Sequence, residues 1–234
     1  MKKSILFCLA LAAAAASLMT LSAPVRSVLG ADGTESTAPD IPFDSKIEYL
    51  QGDGSSAILT DIYWRFCDVY TEIDFAMPEE RDSESKIILG SDGATSNYVM
   101  ARHRSRVDYF AFNADTTPNL SLYPGYFYTG AVWFEDNLYR FNLNGDDATY
   151  SSAFYGIPRP LYIFDGRYRE DYPDRCFKGA IYAVRIYTDK SKSVLISDLV
   201  PVRIADEGFL YDRVGGGIYG NIGTGSFILG PDKE

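Results

Sequence analysis

The sequence predicts an all-β domain built as a two-sheet antiparallel sandwich, and three observations carry that expectation. Aromatic residues make up 15% of the chain, with 18 tyrosines beside 20 glycines, a mixture that suits short, half-buried strands joined by tight turns. About a dozen alternating or β-rich runs follow one another from Lys46 onward, at the spacing that sandwiches use. Turn dipeptides fall between them or at their ends: Asp53-Gly54, Asp92-Gly93, Asn144-Gly145 and Asp165-Gly166. There is little helical periodicity and no repeat of fixed length, which disfavours a propeller or a solenoid.

Along the chain, residues 1–31 read as a secretory signal peptide. Lys2 and Lys3 precede an apolar run of Leu and Ala, and small residues then offer several cleavage positions. Residues 32–45, DGTESTAPDIPFDS, are polar, contain two prolines and read as a linker. The domain is expected at 46–230, followed by a tail at 231–234. Its strand-like runs are KIEYL, SAILTDIYW, DVYTEIDFAM, SKIILGS, NYVMARHR, VDYFAFNA, AVWFED, LYRFNLNG, PLYIFDG, AIYAVRIYT and VLISDLVPVR. A chain of 234 residues forms one core of this kind without metals or staples.

The formal net charge is -10, and loss of Lys2, Lys3 and Arg26 with the leader makes the mature chain more acidic still. Such a protein is a poor partner for nucleic acid or anionic lipid. No second apolar run approaches the length of a membrane span, so a secreted, periplasmic or cell-surface location is expected. Cys8 belongs to the leader. Cys67 and Cys176 share parity with core-facing neighbours, which leaves open both a disulfide and two separate buried thiols.

Three motifs bear on chemistry. TEIDFA, 71–76, sets Glu72 and Asp74 two apart inside an apolar frame, where the plain alternative is the polar face of a half-exposed strand. GGGIYG, 215–220, fits G-x-G-x-x-G, but no helix opens on it, so the glycines read as the turn between the last two strands. His103 is the single histidine and stands between two arginines without a nucleophile-elbow sequence, which argues against a Ser-His-Asp site and against zinc. Calcium is the one ion that loops such as NLNGDD, 142–147, or SDGATSN, 91–97, could attract, but neither follows the EF-hand order and hairpin turn chemistry is the favoured reading of both. No cofactor is expected. For binding, Tyr123, Tyr126, Tyr128 and Trp133 crowd around two glycines, and Arg167, Tyr168 and Arg169 fill a loop; sugars stack on such rings and bond to such polar groups.

The opening KIEYLQGDGSSAILTDI, 46–62, and the closing segments PLYIFDGR, 160–167, FKGAIYAVRIYTDKSKSVLISDLVPVR, 177–203, and GFLYDRVGGGIYGNIGTGSFILG, 208–230, resemble a bacterial family of concanavalin A-like lectin and glucanase, or laminin G-like, jelly rolls. That resemblance implies two curved sheets with a concave face and loop-built rims; residues 90–158 match it by strand rhythm alone. TEIDFA also resembles the E-x-D-x-E strand of laminarinase-type glycoside hydrolases. The third carboxylate would fall at 76 or 77, which are Ala76 and Met77, so the proton donor of a retaining pair is missing. The resemblance implies a secreted, non-catalytic module that recognises carbohydrate; the alternatives are a structural or adhesive module that recognises another surface or secreted protein, and a weak hydrolase working with Glu72 and Asp74.

Overall fold

The computed structural model describes residues 41–65, 68–81, 83–91, 98–104, 107–112, 115–136, 138–150, 158–165 and 175–233. The leader, most of the linker, Cys67, residues 92–97, Arg167 and Tyr168 lie outside them. The described strands begin with β1 (Ser45–Lys46), β2 (Leu50–Gln51), β3 (Ile58–Trp64), β4 (Tyr70–Ala76), β5 (Lys86–Ser91) and β6 (Tyr98–Arg104). Next come β7 (Val107–Phe112), β8 (Asp115–Leu122), β9 (Phe127–Glu135), β10 (Leu138–Leu143), β11 (Asp146–Tyr150) and β12 (Arg159–Ile163). The last are β13 (Ala180–Tyr187), β14 (Leu195–Ile204), β15 (Glu207–Asp212), β16 (Ile218–Tyr219) and β17 (Ile228–Leu229).

These strands pair into two antiparallel sheets, the jelly-roll sandwich that the sequence predicts. The smaller runs β3-β12-β5-β6-β7-β8, and the larger runs β11-β10-β9-β4-β13-β14-β15-β16. Where β13 and β14 diverge, the segment carrying β1 and β2 enters between them: β1 pairs with β14, and β2 with β13 and β17.

Strand β4 sits near the middle of the larger sheet, between β9 and β13. Its burial alternates along YTEIDFA, so Thr71, Ile73 and Phe75 face the other sheet while Tyr70, Glu72 and Asp74 face away. Phe75 is fully buried, stacked on Phe110 at 5.9 Å and Tyr128 at 5.5 Å, with Phe177 edge-on at 6.1 Å. Gly130 makes room for that cluster, since a Cβ there would come within 2.8 Å of the Phe110 ring. Thr71 Oγ1 accepts a hydrogen bond from the Trp64 indole at 2.9 Å, which ties β4 to β3 through the core. Cys176 is buried; the disulfide question lies outside the described residues because Cys67 does.

Two polar side chains fasten the first loop of the domain to the last. Asp53 accepts from Ser55 N, Ser56 Oγ and Ser226 N, each at 2.8 Å. Partial burial would raise its pKa, but these bonds, Ser226 foremost, outweigh burial and hold the carboxyl below its ordinary value. Asn221 Oδ1 accepts from Ala57 N at 3.1 Å and Gly223 N at 2.9 Å, while its Nδ2 donates to Gly225 O at 2.6 Å. The backbones approach so closely that a Cβ on Gly223 would lie 2.1 Å from Ser55 O.

Gly223→Ala must therefore push the two loops apart. The expected loss is about 1–3 kcal/mol, read as a lower urea midpoint at unchanged slope.

Candidate functional site

The face of the larger sheet that points away from the core carries the polar half of every strand from β11 to β14. Register brings its side chains into rows: Glu72 lies opposite Ala131 on β9 and Arg185 on β13, and Asp74 opposite Thr129 and Ala183. Asp74 accepts from Thr129 Oγ1 and from Arg185 Nη1, both at 2.9 Å. Arg185 Nε stands 3.9 Å from Asp198 on β14, and the other oxygen of Asp198 accepts from Arg213 Nε at 2.8 Å. Carboxylate and guanidinium thus alternate across three strands and the turn beyond. Burial disfavours the charge on Arg185, but the bond it donates to Asp74 and the fields of Asp74, Asp198 and Glu72 more than compensate, so its pKa lies above the ordinary value. Asp198 is almost fully buried, and its pairing offsets a desolvation cost it would otherwise bear alone.

At the end of the face where β4 begins, Tyr70 lies 5.4 Å from Trp133 and 6.2 Å from Tyr187, ring centre to ring centre. Together with Asp68, Glu135 and the β13–β14 hairpin around Asp189 and Lys190, Tyr70 and Trp133 line a cleft of about 380 Å³, within the size range of small-ligand sites. Glu135 is paired with Lys190. That bond, joined by the indole of Trp133 and the charge of Arg140, holds the Glu135 carboxyl below its ordinary value. Tyr70 is pushed up to about 12, first by burial and then by the charge of Glu72 and the 3.5 Å contact with it.

The opposite end of β4 faces an aromatic strip. Phe127 packs edge-on against Tyr182 at 5.0 Å, and Tyr182 lies 5.4 Å from Tyr49. Phe127 is half exposed. Tyr123 and Tyr126, with rings 6.0 Å apart, stand out in the turn just before β9. Ala76 to Tyr70 spans roughly 20 Å of extended chain between the two ends.

Of the residues singled out by sequence, Glu72 and Asp74 stand side by side on this face, Trp133 lines the cleft, and Tyr123 and Tyr126 are exposed. Tyr128 is otherwise placed: it is 5% exposed, points between the sheets, and accepts a bond from Tyr123 N at 2.7 Å. Its ring is spent on Phe75, and burial raises its pKa. The alternation of β9 turns Phe127 outward in its place, a one-residue parity that crowding alone does not reveal. Tyr70, Phe127, Tyr182 and Lys192 were not singled out; the parity of Tyr70 with Glu72 and Asp74 is the signal that marks it. Met77 is buried, while Glu79 and Glu80 are exposed beyond Pro78, so no third carboxylate joins the β4 pair from these positions.

The side chains of Asn142, Asn144 and Asp147 in NLNGDD are engaged in and beside the hairpin. Asn142 accepts from Gly145 N and donates to Asp147, Asn144 accepts from Thr129 N, and Asn144 and Gly145 both have positive φ. The other calcium stretch, SDGATSN, is described only at Ser91. Among the described residues no group of three metal-ligating side chains converges. Gly215 to Gly217 of GGGIYG lie in the turn between β15 and β16, with Gly216 at φ 74°, Ile218 and Tyr219 form β16, and β17 follows, so the turn precedes the last described strand by one.

No family model matches the chain, and no curated protein is similar to it. Solved structures align with it only distantly. A mutant of Trypanosoma rangeli sialidase displaying trans-sialidase activity aligns with a TM-score of 0.44 at 13% identity, over 63% of this chain and 26% of that one. Domains LG4-5 of the mouse laminin α1 chain align with a TM-score of 0.44 at 9% identity, over 89% of this chain and 74% of theirs. The chain thus spans about a quarter of the sialidase.

The Tyr70 phenol should titrate near pH 12, resolved from the exposed tyrosines by ultraviolet difference spectroscopy. Glu72→Gln should move it only part of the way toward 10, because burial is the larger cause. Its folded value is the raised one, so any stability it contributes is present below about pH 10 and fades as pH rises through 12.

Proposed function

We propose that this chain is an exported, non-catalytic binding module whose outward sheet face recognises carbohydrate. The observation that carries this reading is the cleft lined by Tyr70 and Trp133, whose rings stand beside the carboxylates of Asp68, Glu135 and Asp189. Sugar C–H faces stack on such rings, and sugar hydroxyls donate to such carboxylates. The exposed strip of Phe127 and Tyr182 offers a second platform on the same face, which suits an extended chain more than a single sugar. Export is supported by the leader-like N-terminus.

Binding without hydrolysis is favoured by how the two β4 carboxylates are engaged. Glu72 is 2.5 Å from the Lys192 ammonium, and Asp74 is held by Arg185 and Thr129. Retaining hydrolysis needs a carboxylic acid that gives its proton to the leaving oxygen, and Ala76 and Met77 stand where that acid would be.

A glycan array should return a defined set of ligands. Trp133→Ala and Phe127→Ala should each weaken binding by about tenfold, the equivalent of one stacked ring, while leaving the unfolding midpoint close to wild type. Silence across a broad array would instead favour a protein-binding module. Release of reducing ends from a bound glycan, abolished by Glu72→Gln, would show that the module is an enzyme.

A further inference from the structure

Lys192 lies in the hairpin between β13 and β14, with its backbone in the left-handed region at φ 58°, where a long side chain carries a steric penalty. The hairpin holds it there. Lys192 N donates to Asp189 O at 3.0 Å, and the Asp189 carboxylate accepts from Thr188 Oγ1 at 3.0 Å, Ser191 N at 2.8 Å and Ser193 Oγ. In this position the Lys192 ammonium is 2.5 Å from Glu72 Oε1 and 5.7 and 5.8 Å from the ring centres of Tyr70 and Tyr187.

Two aromatic rings and a carboxylate around one ammonium group form a recognition arrangement for organic cations. The receptor and its occupant come from different parts of the molecule. Tyr70, Glu72 and Tyr187 belong to the two central strands of the sheet, whereas Lys192 belongs to the loop. The Lys192 side chain is 45% exposed whereas that of Glu72 is only 12% exposed, so the carboxylate is held in the sheet face while the lysine end of the pair stands open to solvent and can leave. As a tethered group it competes with an incoming cation at an effective concentration on the order of millimolar. The notch shares Tyr70 with the cleft, so the two adjoin through that ring.

We infer that Tyr70, Tyr187 and Glu72 form an organic-ammonium subsite, filled in the free protein by Lys192 and yielded to an amine-bearing saccharide unit that enters the Tyr70–Trp133 cleft. The saccharide clause rests on the carbohydrate reading above; the ammonium clause rests on the notch alone.

Lys192→Gly empties the subsite at a backbone conformation that glycine adopts freely, so the fold is retained. Titration calorimetry at pH 6 would compare a glucosamine oligomer, its N-acetylated counterpart and tetramethylammonium chloride. Wild-type protein should prefer the glucosamine oligomer by roughly tenfold, and Lys192→Gly should tighten that binding by roughly a further tenfold by removing the tethered competitor. Lys192→Gly should also bind tetramethylammonium more tightly than wild type, and adding Glu72→Gln should abolish that gain.

Equal affinity for the two oligomers in both proteins would overturn the inference and leave the carbohydrate reading standing. Binding of tetramethylammonium to Lys192→Gly with neither oligomer bound would uphold the ammonium subsite and sink the saccharide clause together with the carbohydrate reading. Absence of tetramethylammonium binding to Lys192→Gly would overturn the subsite itself.

Discussion

The two-residue alternation of β4 is the constraint on which the rest of this molecule turns. Successive side chains of a strand point to opposite faces, and β4 has neighbours on both edges, so it cannot slip by one residue without burying Glu72 and Asp74 and exposing Ile73 and Phe75. The inward set is expensive to move. Phe75 alone joins three aromatic rings, and burial of a side chain that large is worth about 1.5–3 kcal/mol. The packing of the core therefore fixes where the outward carboxylates stand, and the register with β9 and β13 then selects their partners, Thr129 and Arg185.

A second constraint closes the domain. The segment around β1 and β2 enters the sheet between β13 and β14, and the loop after it is fastened to the chain's last loop by Asp53 and Asn221. Both loops are rich in glycine because backbone meets backbone there: a Cβ on Gly223 would strike Ser55 O, and one on Gly225 would strike the Asp53 carboxylate. The opening and closing segments that carry the family resemblance thus touch one another. Their sequence pattern records one contact seen from its two sides.

The parts of the fold that were legible in the sequence are those where period and composition agree. ILTDIYW, TEIDFA and AIYAVRIY alternate and are rich in β-branched and aromatic residues; TEIDFA and AIYAVRIY are central strands of the larger sheet, and ILTDIYW is readable even though it closes one edge of the smaller. Two of the strands that went unread, β8 with DTTPNLSL and β11 with DDATY, lie at sheet edges. Edge strands favour Asp, Thr and Pro, which blunt further pairing and weaken the local signal. The site was legible to the extent that one strand contains it. Glu72 and Asp74 stand out because they are neighbours in sequence, and Trp133 because aromatics cluster near it. Lys192 is 120 positions from Glu72 and meets it only through the register of β4 with β13 and the fold of a hairpin. Tyr128 shows the limit in the other direction, since local crowding of aromatics says which segment is rich in rings and only the strand's parity says which rings face out.

The electrostatics of the outward face follow from the same geometry. The chain as a whole is strongly acidic, yet across this face each described carboxylate of the central rows meets a cation: Glu72 meets Lys192, Asp74 meets Arg185, Asp198 meets Arg213, and Glu135 meets Lys190. Paired charges of this kind project little field beyond the surface but keep their hydrogen-bonding atoms fixed in direction. Such a surface suits a ligand recognised by many oriented hydrogen bonds and by stacking better than one drawn in by bulk charge. The pairs differ in how firmly they are held. Asp198 is nearly buried and grips its arginine on a strand end, whereas Lys192 reaches Glu72 from a loop whose backbone it strains. If one of the two pairs that hold the β4 carboxylates opens to admit a ligand, the physical argument selects Glu72–Lys192, because Lys192 is more solvent-exposed than Arg185 and comes from a hairpin turn, whereas Arg185 is fixed on a central strand.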